Sequence, residues 1–328
     1  MLSTGDAEEA LLTQLLPSNE IAILSTEAVT VGRGGNTESA FRHTLISEAG
    51  SHREVFHKVL KHPFLEYRTS TGERRRIPDP ELSVARFVLG GNAIPIPMAK
   101  PIACNDRHLL YEFLPISTVE PDLATTLTFV RYAGRINSVP NRSAAEESGL
   151  QGELFFASRN SKDSIMDLLH DQVIQERLGP TALTNASNLY SDWMDDPRRV
   201  PSVFSHGDLH SHNASSRDGE LVIYDWGSAG LYPVGFDLAE ALTHARMHRV
   251  DVLNLPRLVD IYRGELNRCD VSREQILEGI RFGILKWLLP NHLRNIRRFS
   301  SSGNLRKMDQ RTSISKACLE VAIECGVS

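Results

Sequence analysis

The chain has 328 residues, 41% of them hydrophobic and 23% charged, with a formal net charge of -5. That length suffices for a large core divided between two lobes, and the acidic balance argues against a nucleic-acid binder, which carries a strongly basic face. No apolar run approaches the roughly 20 residues that cross a bilayer, and the four cysteines, Cys104, Cys269, Cys318 and Cys325, form no CxxC pair, so a reduced, cytoplasmic protein without membrane or nucleic-acid partners is the simplest expectation.

The N-terminus, MLSTGDAEEALLTQLLP, bears acids where a secretory signal bears positive charge, and so reads as mature protein. Leu11, Leu12, Leu15 and Leu16 predict one face of a short helix over 6–16. Ile21–Val31 is rich in Ile, Val and Thr and breaks at Gly32-Arg-Gly-Gly-Asn36; further strand-like runs follow at Ala40–Ile46 and Glu54–Leu60. Ser70–Arg76 is polar and basic and reads as a loop. Asp79-Pro80-Glu81 opens a helix, with Asp as N-cap, Pro at the first helical position and an acid in the first turn. Leu82, Ala85, Val88 and Leu89 supply its apolar face, and Gly90-Gly91 stop it. His108–Leu114 reads as a strand ended by Pro115.

From about Glu120 the patterns are mostly helical. They are interrupted by strands near Val203 and at Leu221–Tyr224, and by a polar, poorly patterned stretch from Asn137 to Lys162, either a substrate-gating insertion or a surface loop. Ser272 and Gln275 have capping-box spacing ahead of Ile276, Ile280, Ile284 and Leu288. Cys318 and Cys325, seven apart, share a helix face as core fillers. The expected architecture is α+β, with a small antiparallel sheet and one helix, then a larger, mainly helical lobe. The cleft between two such lobes is where small ligands bind.

Chemistry concentrates in His206-Gly-Asp-Leu-His-Ser-His-Asn213, Leu221-Val-Ile-Tyr-Asp225-Trp226 and Gly235-Phe-Asp237-Leu-Ala239. Asp208 and Asn213 follow a short apolar strand, and Asp225 ends a second one that a turn at Asp218-Gly219 leads back to the loop. Two carboxylates and a carboxamide in a small volume suit Mg²⁺. The alternation of His206, Asp208, His210 and His212 also offers zinc ligands, as in a metallohydrolase; that reading does not require Asn213, the downstream Asp-Trp or Lys58. Lys58 shares a strand face with Phe56 and Leu60, where an ammonium needs a partner unless it is an edge-strand charge.

Taken together, HGDLHxxN, a hydrophobic strand ending in DW, and DLA resemble the aminoglycoside phosphotransferase and choline kinase superfamily, relatives of the protein kinases. The resemblance implies a protein-kinase-like fold, with a nucleotide-binding lobe over 1–115 and a catalytic, acceptor-binding lobe over 116–328. It implies transfer of the γ-phosphoryl group of ATP, GTP remaining open, to a hydroxyl of a small-molecule acceptor. Asp208 and Asn213 match the spacing of the kinase H-R-D-x-x-x-x-N loop, and Asp225 stands where the DFG aspartate holds Mg²⁺. Asp208 would then be the catalytic base, Asn213 and Asp225 the Mg²⁺ ligands, and His206 and Asp237 supports of the loop. Lys58 would grip the phosphates and pair with Glu81, although an acid in a first helical turn also serves the helix dipole alone. Gly34, Gly35 and Asn36 would cover the phosphates through backbone N–H groups, despite lacking the GxGxxG order. Glu112 and Leu114 would present backbone groups to adenine.

Two features oppose a protein kinase. Gly207 replaces the arginine that reads a phosphorylated activation loop, and only eleven residues separate Asp225 from Asp237. A nucleotide-binding pseudoenzyme has no support, because every catalytic position is filled. The acceptor is not legible from the fold. From Arg281 to Met308 there are seven Lys/Arg and no acid; this segment either favours a neutral or anionic acceptor, or Arg294, Arg297 and Arg298 form a solvated helix face.

Overall fold

The computed structural model describes residues 16, 20–30, 36–47, 49–68, 74–115, 117, 119–139, 142–147, 149–150, 162–194, 200–250 and 254–326. All but residue 16 of the helix expected over 6–16, and the glycines at 34 and 35, lie outside these residues. The first lobe is built on a five-stranded antiparallel sheet of β1 (Glu20–Ala28), β2 (Thr37–Ser47), β3 (His52–Leu60), β6 (Pro101–Cys104) and β7 (His108–Glu112), in the order β1-β2-β3-β7-β6. Between β3 and β6 run a hairpin, β4 (Phe64–Arg68) with β5 (Arg74–Pro78), and helix α1 (Pro80–Leu89).

The hairpin corrects the end of the loop expected at Ser70–Arg76, since Arg74 to Arg76 lie in a strand paired with Phe64–Arg68, while 70–73 lie outside the described residues. Three successive arginines show no alternation of apolar and polar residues, so the partner strand, not the pattern, makes this segment β. The Arg76 guanidinium lies 4.1 Å from the Phe64 ring centroid, a cation–π contact that covers the ring.

Helix α1 starts as its sequence dictates. The Asp79 side chain accepts hydrogen bonds from the backbone N–H of Glu81 (3.0 Å) and Leu82 (3.2 Å), and Pro80 follows it. One face of the helix puts Leu82 and Ala85 against Leu60, Leu109 and Tyr111 of the sheet. The other puts Val84 and Phe87 into the core of the second lobe. Alternation along β3 directs Lys58 to the α1 side and buries His57 on the opposite face with Val55.

His57 is the middle of a buried chain. Thr26 Oγ1 and His43 Nδ1 are 2.9 Å apart, His43 Nε2 and His57 Nδ1 3.2 Å, and His57 Nε2 and His108 Nδ1 2.9 Å. Burial, reinforced by the neighbouring imidazoles, pushes the pKa of His57 down to about 3.

The second lobe holds α2 (Leu123–Asn137), α3 (Arg142–Glu147), α4 (Lys162–Leu169), α5 (Gln172–Leu178) and α6 (Pro180–Met194). Four short strands follow: β8 (Ser202–Ser205), β9 (Ala214–Arg217), β10 (Glu220–Ile223) and β11 (Gly230–Pro233). The helices α7 (Phe236–Met247), α8 (Leu255–Leu266), α9 (Arg273–Phe282), α10 (Leu289–Ser301) and α11 (Leu305–Glu324) complete it, with a π-helical turn, Gly283–Leu288, joining α9 to α10. Ser272 and Gln275 form the expected capping box, and Cys318 and Cys325 are buried. Of the polar stretch from 137 to 162, residues 151–161 lie outside the described residues; ahead of them, Asn137 is the buried last residue of α2, and Ala145 and Leu150 enter the core. Among the described residues no helix is long and apolar enough to cross a membrane.

The lobes meet along several ties. Residues 97–99 bond to the end of β10, with Ile223 N donating to Pro97 O (3.0 Å) and Ala99 N to Ile223 O (2.9 Å). The connection after β7 is held where Ser117 and Ser215 exchange hydrogen bonds, N to Oγ at 2.9 Å.

The His57 chain makes the fold acid-sensitive. In the unfolded chain the ring titrates near 6.5, in the folded one near 3. Between these values the unfolded state binds a proton that the folded state refuses, so the stability is present above pH 6.5 and is lost as pH falls through the window. Urea denaturation from pH 7 to 4 should show His57→Gln losing less stability than the parent, by about 1.4 kcal/mol per pH unit. Equal slopes would show that His57 is not the titrating group.

Candidate active site

The loop after β8 is shaped from beneath by a carboxylate. Asp237, in the first turn of α7, is fully buried; its Oδ1 accepts from Gly207 N (2.8 Å) and its Oδ2 from His206 N (3.0 Å) and Asn137 Nδ2 (3.2 Å). Burial raises its pKa to about 6, despite the three donors that favour the charged form. Asn137 also donates to Phe204 O (2.7 Å) and accepts from the Tyr262 hydroxyl, which itself accepts from Gly235 N (2.9 Å). Helices α2, α7 and α8 thus converge under one loop.

His206 faces inward. Its Nδ1 accepts from Asp208 N (3.3 Å), its Nε2 donates to Tyr224 O (3.2 Å), and its ring lies 4.5 Å from that of Trp226. Burial lowers its pKa to about 4, outweighing the pull of Asp208. Both ring nitrogens are committed and the ring is fully buried against Trp226, which removes His206 from the zinc set that the alternating histidines offered. Gly207 has φ 82°, and a Cβ built there would stand 2.0 Å from Ser228 O. The loop has no room for the arginine that protein kinases carry at this position.

Asp208 projects from this support. Asn213 Nδ2 donates to its Oδ2 (2.8 Å) and to its backbone carbonyl (2.9 Å), and His210 Nε2 lies 3.4 Å from its Oδ1. Burial alone would raise its pKa, but His210, His206 and Asn213 outweigh that and hold it at about 2. Since the amide nitrogen of Asn213 serves Asp208, its oxygen is the end left for a cation. Residues Asp218 and Gly219, at φ 54° and 82°, form the expected tight turn from β9 to β10. Two residues past β10, Asp225 takes a left-handed φ of 61° with its side chain half exposed.

Lys58 connects this loop to the sheet lobe. Its Nζ is hydrogen-bonded to Glu81 and lies 3.6 Å from Asp225 Oδ1. Burial works against the ammonium, but Glu81 and then Asp225 reverse this and leave its pKa above the ordinary lysine value. The structure thus gathers Lys58, Glu81 and Asp225, and binds Asp208 to Asn213. The charges of both Asp208 and Asp225 are felt at His206 and His210.

The remaining expected residues sit as follows. The amide of Asn36 is engaged by Asp79 Oδ2 (3.0 Å) and by the backbone of His62 on both sides, so it braces the N-cap of α1. Glu112 ends β7, its N–H donating to Lys100 O (2.9 Å), and Leu114 is half-buried in the connection that follows. Arg297 and Arg298 are exposed, and Arg297 lies 3.4 Å from Asp171. Sequence reasoning missed Asn137, Tyr262, Glu240 and His244. Asn137 had a signal, since it closes a helix whose neighbours Val130, Ala133 and Ile136 are buried and apolar; Tyr262 had none.

A family model described as the phosphotransferase enzyme family matches residues 79–268. No curated protein matches the chain. Among solved structures, a choline kinase from Cryptosporidium parvum aligns with TM-score 0.57 and 11% identity, covering 98% of this chain and 95% of its own. A spectinomycin phosphotransferase, solved with ADP and spectinomycin, aligns with TM-score 0.55 and 12% identity over 98% of both chains. The GDP complex of an aminoglycoside 2'-phosphotransferase aligns with TM-score 0.54 and 14% identity over 97% of this chain and 99% of that one. The two-lobed fold is the one these kinases share.

Tyr262→Phe would leave Gly235 N–H and Asn137 Oδ1 without a partner in a buried place. The expected cost is about 1–3 kcal/mol in urea denaturation, with an unchanged m-value. A loss below about 0.5 kcal/mol, the range of neutral surface changes, would show that the hydroxyl does not brace the loop.

Proposed function

We propose, from the premise that this chain belongs to the phosphotransferase enzyme family, that it moves the γ-phosphoryl group of ATP onto a hydroxyl of a small-molecule acceptor. The observation that carries the reading is the Lys58 ammonium, buried between Glu81 and Asp225. A buried charge is costly, and this one is kept where phosphates would lie between the sheet lobe and the loop that bears Asp208.

In this reading Lys58 neutralises phosphate oxygens and Glu81 keeps it aimed. Asp208, whose pKa is about 2, is ionised at neutral pH. It accepts a hydrogen bond from the acceptor hydroxyl and orients that oxygen toward the γ-phosphorus. As the new P–O bond forms and the bond to the ADP oxygen breaks, the hydroxyl proton passes to the carboxylate. So weak a base takes the proton late, which fits a loose transition state dominated by positioning. The donor set fits Mg²⁺, since the carboxylate of Asp225 and the amide oxygen of Asn213 are hard oxygen ligands; bound there, it would neutralise charge on the β- and γ-phosphates.

The sheet lobe, over 1–115, is the nucleotide side, with backbone groups of Glu112 and Leu114 for adenine and the backbone of Asn36 toward the phosphates. The acceptor side is 116–328. A small acceptor is favoured over a peptide because the close packing of Gly207 on Ser228 excludes the arginine that reads a phosphorylated activation loop, and the eleven residues between Asp225 and Asp237 leave little room for an activation segment.

The test is thermal stability with Mg-ATP and Mg-GTP, followed by ADP release over a library of hydroxylated metabolites and antibiotics. Mg-ATP should raise the Tm of the parent, and Asp225→Asn should lose that rise. Asp208→Asn should keep the rise but lower kcat about 10²–10⁴-fold, the range of a lost general base. Efficient phosphorylation of peptides with no small molecule turned over would overturn the acceptor class. A nucleotide shift that survives Asp225→Asn would overturn the metal assignment.

A further inference from the structure

Beside Asp208 lies a cluster of three imidazoles to which the proposed phosphoryl transfer gives no role. The imidazoles of His210, His212 and His244 bring their ligand atoms within 4.8 Å of one another, and so do His210, Asp208 and Glu240. The two groups share His210. The loop supplies His210 and His212 around its 3₁₀ turn (Ser211–Asn213), and α7 supplies Glu240 and His244, four residues apart on one helix face. Ring centroids are 4.6 Å apart for His210 and His244, 5.4 Å for His210 and His212, and 6.1 Å for His212 and His244.

Two atoms in this set are buried without a hydrogen-bond partner: His244 Nδ1 and Glu240 Oε2. Buried polar atoms are satisfied almost everywhere in folded proteins, so two orphans in one cluster point to a missing ligand. His210 Nδ1 accepts from the backbone N–H of His212 (3.1 Å), and its Nε2, 3.4 Å from Asp208 Oδ1, would exchange that contact for the cation. The charge of Arg311 on α11 opposes a cation here, and the carboxylates of Asp208 and Glu240 face it.

Ligand chemistry selects the ion. Three imidazole nitrogens with a water in the fourth position suit Zn²⁺, whereas Mg²⁺ takes oxygen ligands and keeps its waters. We propose that His210, His212 and His244 form a Zn²⁺ site beside Asp208, with the Glu240 carboxylate nearby on the same helix as His244, chemically separate from the oxygen donors Asn213 and Asp225. The site differs from the alternating set legible in the sequence, because His206 is turned into the core and His244 arrives from a helix.

The experiment is a Zn²⁺ titration of the metal-free full chain in excess Mg²⁺, by competition with a chromophoric chelator. The exposed Cys269 is replaced by Ser in every protein, so that its thiolate cannot compete. One Zn²⁺ per chain is expected, with affinity falling at least about 10-fold in His212→Ala and further in His212→Ala/His244→Gln. His212 is exposed, so its variant keeps the fold and carries the test alone. Co²⁺ in place of Zn²⁺ should give visible d–d bands that weaken in the same variants. No Zn²⁺ bound by the parent, or an affinity unchanged in His212→Ala, would overturn the site. Neither outcome depends on phosphoryl transfer, so this proposal and the kinase reading stand or fall separately.

Discussion

A single carboxylate, that of Asp237, sets the conformation on which the rest of the site depends. It lies in the first turn of α7, where the helix dipole favours a negative charge, and it takes the backbone N–H groups of His206 and Gly207 as its partners. Those two bonds fix a left-handed turn at Gly207 and aim the next residue, Asp208, outward. Because Asn137 and Tyr262 extend the same network into α2 and α8, the loop is referenced to three helices rather than to its own short strand.

The two lobes communicate through α1 and Lys58. Helix α1 belongs to both cores, with Leu82 and Ala85 on the sheet and Phe87 stacked on Phe204 at 5.8 Å, which in turn stacks on Trp226 at 6.0 Å. The same helix carries Glu81 at its N-terminal end. A shift of α1 would therefore move the partner of Lys58 and the packing beneath Asp225 together. Buried ion pairs contribute little net stability once desolvation is counted. The Lys58–Glu81 pair, with Asp225 at its free side, accordingly adds little to the stability of the fold by itself.

The histidine-rich loop shows how a linear pattern and a spatial one diverge. In sequence His206, His210 and His212 alternate as one set. In space the first is locked between Asp208 N and Tyr224 O, while the other two face His244. The 3₁₀ turn from Ser211 to Asn213 breaks the strand-like alternation that would have kept all three on one face.

The sequence by itself determined whatever depends on near neighbours. Asp79-Pro80 starts α1, Ser272 and Gln275 box α9, Asp218-Gly219 turns a hairpin, and alternation puts Lys58 opposite His57; each is settled by atoms within a few residues. The spacing of Asp208, Asn213 and Asp225 was legible for the same reason, since one loop and one hairpin carry all three. Only the tertiary structure decided which distant groups would meet. Arg74–Pro78 is a strand because Phe64–Arg68 lies beside it, Asn137 is a brace because Asp237 and Tyr262 close over it, and His244 joins His210 because α7 runs under the loop. Residues a hundred positions apart leave no local pattern in either segment, and it is burial, by removing water as an alternative partner, that makes their meeting specific.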